Sequence, residues 1–128
     1  TEAQIIGGEV EGTPYLHMDG PAVFKFAVKA LSDIAEKTLA EAGVPQDSVD
    51  WLVPHQANIR IIEATAKHLQ LSMEKVIVTL PEQGNTSAAS IPLAFDHAVR
   101  QGKIQRGQTV LMEGIGGGFA WGALLLRF

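Results

Sequence analysis

The chain has 128 residues, which is enough for one domain with its own hydrophobic core. Hydrophobic residues make up 46% and charged residues 19%, as in ordinary globular proteins. The net charge of −4 argues against a nucleic-acid-binding protein, because no basic face is evident that would neutralise several phosphates. Apolar stretches such as 120–126 are too short to span a bilayer, and no secretory signal is recognised at the N-terminus. We therefore expect a cytoplasmic protein that acts neither on a membrane nor on nucleic acid.

The chain contains no cysteine. By itself it can therefore form no disulfide, no thiolate metal site and no cysteine nucleophile. His17, His68 and His97 show no metal-ligand spacing with one another or with a pair of carboxylates. We expect no metal site.

Helical and strand-like patterns alternate from the N-terminus. Ile5–Ile6 and Tyr15–Leu16 are typical of short strands, whose partners we expect elsewhere in the protein. Apolar residues at three- and four-residue steps predict a helix over Pro21–Ala42, with Gly43 suited to the position after its last turn. Trp51–Val53 is a short apolar run that predicts a buried parallel strand.

The alternation continues to the C-terminus. The pattern predicts a helix over Ala57–Leu69, a buried strand over Val76–Val78 and a third helix that opens at 84–87 and runs to Gln101. Strands are predicted over Thr109–Glu113 and Phe119–Phe128, paired antiparallel through a tight glycine turn. This order favours a single α/β layered domain with a mostly parallel sheet.

Two polar side chains follow predicted buried strands and precede helices: His55 and Asn85. In open α/β sheets, ligands and reacting groups lie at the carboxyl ends of the strands. His55 could equally be a structural histidine, and Asn85 could be a helix N-cap. Position alone leaves both alternatives open.

The glycine run at 114–118 is not a dinucleotide-binding fingerprint, because a strand follows it where that fingerprint needs a helix. Its glycines could turn a hairpin, or expose a backbone N–H to an oxyanion. Ser87 and Ser90 are expected to help start the third helix, and the sequence pairs no base with either of them.

Three stretches together resemble the β-ketoacyl-acyl carrier protein (ACP) synthase III family. They are WLVPHQAN from Trp51 to Asn58, GNTSAAS from Gly84 to Ser90, and the ending GGGFAWGALLLRF. The resemblance extends from about Leu16 to Phe128, and the step of 30 positions from His55 to Asn85 fits it. It implies a thiolase-like αβαβα layered fold, with 1–128 as its C-terminal half.

The resemblance also implies roles for single residues. The family uses a Cys–His–Asn triad, in which His55 and Asn85 match the histidine and the asparagine, and the backbone N–H of Gly117 would serve the acyl-transfer oxyanion. The nucleophilic cysteine would belong to the absent N-terminal half. Pro21-Ala22 depart from the Asn-Glu pair common in some members, which affects the cofactor contacts there. The residues that match substrate- or coenzyme A (CoA)-binding positions are Met18, Gly20, Phe24, Ala57 and Asn58.

The implied activity is a decarboxylative Claisen condensation that initiates type II fatty acid synthesis. An acyl-CoA primer, acetyl-CoA, would react with malonyl-ACP to give 3-oxoacyl-ACP, with the CoA thioester as a substrate and no permanently bound cofactor. Gly114 stands where biosynthetic thiolases carry a second cysteine, which favours the decarboxylative route. The implied partners are acyl carrier protein, the N-terminal half and a second complete subunit in a homodimer.

Acyl carrier protein is acidic, and the family docks it on basic residues near the tunnel mouth. Arg60 matches such a position, and Lys25 and Lys67 are weaker candidates. Arg60 and Lys67 stand seven residues apart and hence on one helical face, for which a solvated surface is the ordinary explanation.

Two other functions remain open at this point. A type III polyketide synthase uses the same triad, but its motif usually reads GN-M-SSA and its substrates are CoA esters. A non-catalytic half that only binds acyl carrier protein has no evident need for both His55 and Asn85. In either case, we expect an isolated half to expose the surface that faces the other half, and to be unstable alone.

Overall fold

The computed structural model describes residues 4–6, 9–11 and 18–128. In chain order its helices and strands are β1 (Gln4–Ile6), β2 (Glu9–Glu11), α1 (Gly20–Ala42), β3 (Trp51–Pro54), α2 (Ile59–His68), α3 (Leu80–Gln83), α4 (Ser90–Arg100), β4 (Thr109–Gly116) and β5 (Ala120–Arg127). Short 3-10 turns lie at Gln46–Ser48, Met73–Lys75 and Ser87–Ala89. Within these ranges, none of the helices has the length and apolarity that crossing a membrane requires. His17 and the strand expected at Tyr15–Leu16 lie outside the described residues.

The central sheet is mixed and has the strand order β3-β4-β5. β3 and β4 run parallel, and β4 and β5 form the predicted antiparallel hairpin. The strand predicted over Val76–Val78 is wrong, because this segment makes a single parallel bridge to Leu52. The buried amide of Gln56 binds the carbonyl of Ile77 and the N–H of Thr79, which a further strand would otherwise pair.

The N-terminal pair of strands corrects a second expectation. β1 pairs antiparallel with β2, with Ile5 opposite Val10, so the partner of Ile5–Ile6 lies within this chain. Only two residues, both glycine, separate the two strands in the sequence, and this spacing is typical of a hairpin.

Side-chain caps set the starts of the first two helices. α1 begins at Gly20, one residue earlier than predicted, and Asp19 caps it by accepting the backbone N–H of Ala22 at 3.1 Å. Gly43, at φ 64°, ends this helix in the left-handed conformation that glycine adopts without a steric penalty. α2 begins at Ile59, two residues later than predicted, because Asn58 caps it by accepting the N–H of Arg60 at 2.8 Å.

The third long helix begins later than predicted. α4 starts at Ser90, not at 84–87, because α3 and a 3-10 turn take up the preceding residues. Gly84, at φ 66°, closes α3, and Ser87 has a φ of 53° that interrupts helical geometry. The chain therefore makes two sharp changes of direction on either side of Asn85.

The core lies on both faces of the sheet. One face buries Leu52 and Leu111 against α1 and α2. The other buries Val53 and Val110 against Ala94 and other residues of α4. Because helices cover both faces, the carboxyl end of β3, which leads into His55, lies between two packed layers.

Candidate active site

His55, Asn85 and Gly117 lie around one cavity of about 850 Å³. The volume falls in the range of small-molecule sites. The sheet hairpin and the start of α4 supply its apolar wall, through Ile91, Met112 and other side chains. The three polar groups predicted from separate motifs are therefore brought together by the fold.

His55 follows β3 directly and extends its pairing with β4. Its backbone N–H donates to the carbonyl of Glu113 at 2.8 Å, and its Nδ1 lies 2.5 Å from the hydroxyl oxygen of Ser90. The side chain is half-buried, and burial lowers its pKa below the ordinary value of 6.5. His55 is therefore neutral at pH 7.

The contact with Ser90 corrects the expectation that no base pairs with this serine. Ser90 is the first residue of α4, and its Oγ also accepts the backbone N–H of Gln56 at 3.3 Å. The two residues of the Ser90–His55 contact stand 35 positions apart, so no local pattern could predict it. Ser90 is only 1% exposed and is not among the residues that line the cavity, which argues against a role as nucleophile.

Asn85 is exposed, and a backbone contact orients its amide group. Its Oδ1 accepts the N–H of Ser87 at 2.9 Å. α4 begins five residues after Asn85, so Asn85 is not the N-cap of that helix. Among the described residues, no acceptor binds its Nδ2, and both hydrogens on Nδ2 remain available as donors.

The glycine turn between β4 and β5 contributes backbone to the cavity. Gly117 lies in open space, since a Cβ built there has no heavy atom within 4 Å. Gly114 is the opposite case, because its Cβ would lie 3.0 Å from Cδ1 of Ile91. A side chain at Gly114 therefore requires Ile91 to move.

Glu113 is a feature that sequence reasoning missed. It is 1% exposed, and neither of its carboxyl oxygens has a hydrogen-bond partner among the described residues. Burial raises its pKa from 4.5 to about 8. Strand alternation puts its side chain on the same face as Leu111 and Ile115, which pack in clusters with residues of α1 and α2. The carboxyl group is therefore neutral near pH 7 and lies in the core.

The remaining predicted residues lie away from the cavity lining. The guanidinium of Arg60 lies 5.6 Å from the ring centroid of Phe24, so the starts of α1 and α2 are adjacent. Lys67 lies in the last turn of α2, two turns from Arg60. The residues at or just before these two helix starts are Met18, Gly20, Phe24, Lys25, Ala57, Asn58 and Arg60. Across the described ranges, no group of three metal-ligating side chains is found.

The chain is similar in sequence to known proteins. Residues 39–128 match the family described as "3-Oxoacyl-[acyl-carrier-protein (ACP)] synthase III C terminal". Proteins named β-ketoacyl-[acyl-carrier-protein] synthase III from Neisseria gonorrhoeae and Laribacter hongkongensis are 64% and 67% identical over 125 and 121 residues. These alignments cover 98% and 94% of this chain and 39% and 38% of the relatives, so the chain spans about two fifths of their length.

A crystal structure of 3-oxoacyl-[acyl-carrier-protein] synthase III from Aquifex aeolicus superposes with a TM-score of 0.87 at 46% sequence identity. The match covers 89% of this chain and 37% of that one. The similarity confirms the predicted thiolase-like class. The chain therefore belongs to the 3-oxoacyl-[acyl-carrier-protein] synthase III family, and it corresponds to the C-terminal part of the family's members.

Proposed function

We propose that this chain supplies the histidine and asparagine of a condensing enzyme. The complete enzyme joins an acyl-CoA primer, acetyl-CoA, to malonyl-ACP by decarboxylative Claisen condensation and releases 3-oxoacyl-ACP. The observation that carries the proposal is that His55 and Asn85 line one cavity, and that the Nδ2 hydrogens of Asn85 are available to donate. Family membership supports the reaction class.

The first half-reaction needs the cysteine of the N-terminal part. Its thiolate attacks the acyl-CoA carbonyl, CoA leaves as a thiolate that takes a proton from water, and an acyl-enzyme thioester remains. The tetrahedral intermediate carries a negative oxygen, which the backbone N–H of Gly117 stabilises. The open space beside Gly117 suits a close approach by substrate.

The second half-reaction forms the carbon–carbon bond. Malonyl-ACP loses CO2, and the electron pair of the broken bond becomes an enolate whose charge lies on the thioester oxygen. His55 Nε2–H and Asn85 Nδ2–H donate to that oxygen. The enolate carbon then attacks the acyl-enzyme carbonyl and expels the cysteine thiolate.

The protonation state of His55 fits this role. Burial lowers its pKa and so favours the neutral imidazole, which carries one N–H. That N–H can donate a hydrogen bond without transferring its proton. Preorganised donors of this kind stabilise a transition state because they need no reorientation as charge develops. Removing one of them typically costs about 2.7–4 kcal/mol, or roughly 10²–10³ in rate.

Gly114 supports decarboxylation over the thiolase reaction, which needs a cysteine base at this position. No thiol exists there, and even a Cβ would press on Ile91 at 3.0 Å. No thiol base is therefore available at Gly114 to remove a proton from acetyl-CoA. Loss of CO2 generates the enolate without proton removal.

Arg60 is the residue we propose for docking acyl carrier protein. It lies in the first turn of α2, where the positive end of the helix dipole disfavours a cation. Neither Glu nor Asp pairs with it among the described residues, and its aliphatic neighbour Ile59 is 38% exposed. A cation held at this position attracts an acidic partner and raises the association rate. Lys25 and Lys67 supply weaker contributions of the same sign.

Length and surface composition support a contact with the N-terminal half, whereas the resemblance to the family implies the homodimer. The relatives are more than twice as long as this chain. We infer that the part of them outside the alignment carries the cysteine of the family's triad. Several large apolar side chains are exposed here, among them Leu93 (40%), Trp121 (48%) and Leu124 (56%). We assign these exposed side chains to contacts with the N-terminal half, and the complete subunit to a homodimer.

The test is the product of the full-length protein. Acetyl-CoA is supplied with either malonyl-ACP or malonyl-CoA, and the acyl carrier protein is analysed by intact-mass spectrometry. The proposal expects 3-oxobutanoyl-ACP with malonyl-ACP and little product with malonyl-CoA. Equal use of malonyl-CoA would favour a type III polyketide synthase. Binding of acyl carrier protein without any product would indicate a non-catalytic module.

A further inference from the structure

The hydroxyl of Ser90 has two polar neighbours within hydrogen-bonding distance in the described part of the chain. One is Nδ1 of His55 at 2.5 Å, and the other is the backbone nitrogen of Gln56 at 3.3 Å. Ser90 is 1% exposed, so solvent does not serve as a third partner. The positions of the hydrogens in this three-atom group follow from counting donors and acceptors.

The N–H of Gln56 can only donate, and it occupies one lone pair of Ser90 Oγ. If Nδ1 of His55 also carried a proton, two donors would converge on Oγ. The hydroxyl hydrogen of Ser90 would then have no acceptor among the described residues. A buried donor without an acceptor costs more free energy than a hydrogen bond contributes to stability. If Nδ1 is bare, the hydroxyl donates to it and every group is satisfied.

We propose that Ser90 is a positioning residue that fixes the tautomer of His55, its O–H donating to Nδ1 so that Nε2 carries the proton. The start of α4 also keeps the ring neutral, because the positive end of the helix dipole disfavours an imidazolium beside Ser90. The consequence is that Nε2–H is held as a donor before any substrate binds. The catalytic role of this N–H rests on the proposed condensation. The tautomer of His55 is inferred from the hydrogen bonds alone and does not depend on that proposal.

The proposal is tested first by spectroscopy on full-length protein with ¹⁵N-labelled histidine. Long-range ¹H–¹⁵N correlation reports which ring nitrogen of His55 carries the proton, assigned by comparison with His55→Ala. Spectra are recorded at several values between about pH 6.5 and about pH 8. The expected result is a proton on Nε2 of His55 in the unmodified protein throughout this range. A proton on Nδ1 would overturn the proposal, whatever the enzyme does to malonyl-ACP.

Variants provide the second test. Ser90→Ala is expected to populate the Nδ1–H form and to slow malonyl-ACP decarboxylation about two- to tenfold, the range of one net hydrogen bond. Acyl transfer from acyl-CoA and the KM for malonyl-ACP should change little. Ser90→Thr keeps a hydroxyl and should restore both the Nε2–H signal and the rate.

The matched control is Ser32→Ala, which removes another buried serine hydroxyl, one without a hydrogen-bond partner among the described residues. This variant should retain the tautomer and both rates. If Ser90→Ala behaves like Ser32→Ala, Ser90 has no positioning role. If the tautomer responds as expected but no variant or parent decarboxylates malonyl-ACP, the proposed function fails and the inference about Ser90 stands.

Discussion

The side-chain oxygen of Gln56 accepts the backbone N–H of Thr79 at 2.9 Å. The same amide donates to the carbonyls of Pro54 at 2.9 Å and Ile77 at 3.1 Å. Gln56 is fully buried, and its side-chain amide extends the single backbone bridge between Leu52 and Val76. This amide joins the strand end that carries His55 to the segment that leads to Asn85.

Replacing that amide should destabilise the protein. Gln56→Leu keeps most of the buried volume but leaves two carbonyls and one N–H without partners. Because each buried polar group without a hydrogen-bond partner costs about 1–3 kcal/mol, we expect the free energy of unfolding to fall by at least about 2 kcal/mol. Denaturant titration of the full-length protein measures it. Gln101→Leu, at an exposed position, is the control and should change stability by less than about 0.5 kcal/mol.

Glu113 should make stability depend on pH in the direction opposite to that of a salt-bridged acid. Burial raises its folded pKa from 4.5 to about 8, so the folded state holds a proton that the unfolded state has lost within this interval. Its contribution to stability is therefore complete below about pH 4.5 and is lost as the pH rises through 8.

Glu113→Gln removes this titration and keeps the shape of the side chain. Compared with the unmodified protein, the variant should lose less stability between pH 5.5 and pH 8.5, as measured by denaturant unfolding at both values. Glu63→Gln, at an exposed position on α2, should leave the pH dependence unchanged. Parallel pH profiles for Glu113→Gln and the parent would show that the carboxyl is not held neutral.

Charge reversal at Arg60 should weaken the interaction with acyl carrier protein selectively. Arg60→Glu is expected to raise the KM for malonyl-ACP, because malonyl-ACP carries the acidic protein. Acyl transfer from acyl-CoA, which carries no such protein, should stay unchanged. Steady-state kinetics at low and high salt measure the KM for malonyl-ACP and the rate of acyl transfer. The difference in KM between Arg60→Glu and the parent should shrink as salt screens the charges.

Arg106→Glu is the matched control. Arg106 also lies over a phenyl ring, 4.3 Å from the centroid of Phe128, as Arg60 does over Phe24 at 5.6 Å. It precedes β4, whereas the cavity lies toward the far end of that strand. Equal losses for both substrates in Arg60→Glu, or equal effects of the two variants, would contradict a docking role.

The sequence was sufficient for the elements whose apolar pattern is long or sharply bounded. α1 follows from its apolar stripe and from Gly43, and the β4–β5 hairpin follows from two apolar runs around glycines. Val76–Val78 has an equally apolar pattern. Its backbone is bound by a side chain from another segment, and no local pattern contains that information.

The site was predictable in its reacting groups but not in their support. His55 and Asn85 follow from their positions and from the family motifs. The Ser90–His55 contact depends on packing α4 against β3, 35 positions away in sequence. Glu113 was overlooked because the predicted strand ended there. β4 continues to Gly116, and glycines have no side chain to mark a strand, so the carboxyl lies inside the sheet rather than at its edge.

The most direct test of the central claim is the single-turnover rate of malonyl-ACP decarboxylation in Asn85→Asp and His55→Ala variants of the full-length protein. Asn85→Asp keeps an oxygen for the Ser87 N–H and replaces only the donor NH2, with Gln101→Glu as the amide-to-acid control. We predict that each variant slows decarboxylation by roughly 10²–10³ and leaves acyl transfer to the cysteine within a few fold of the parent. Unchanged decarboxylation in Asn85→Asp, or equal loss of both half-reactions, would contradict the assignment of these residues as the donors to the enolate.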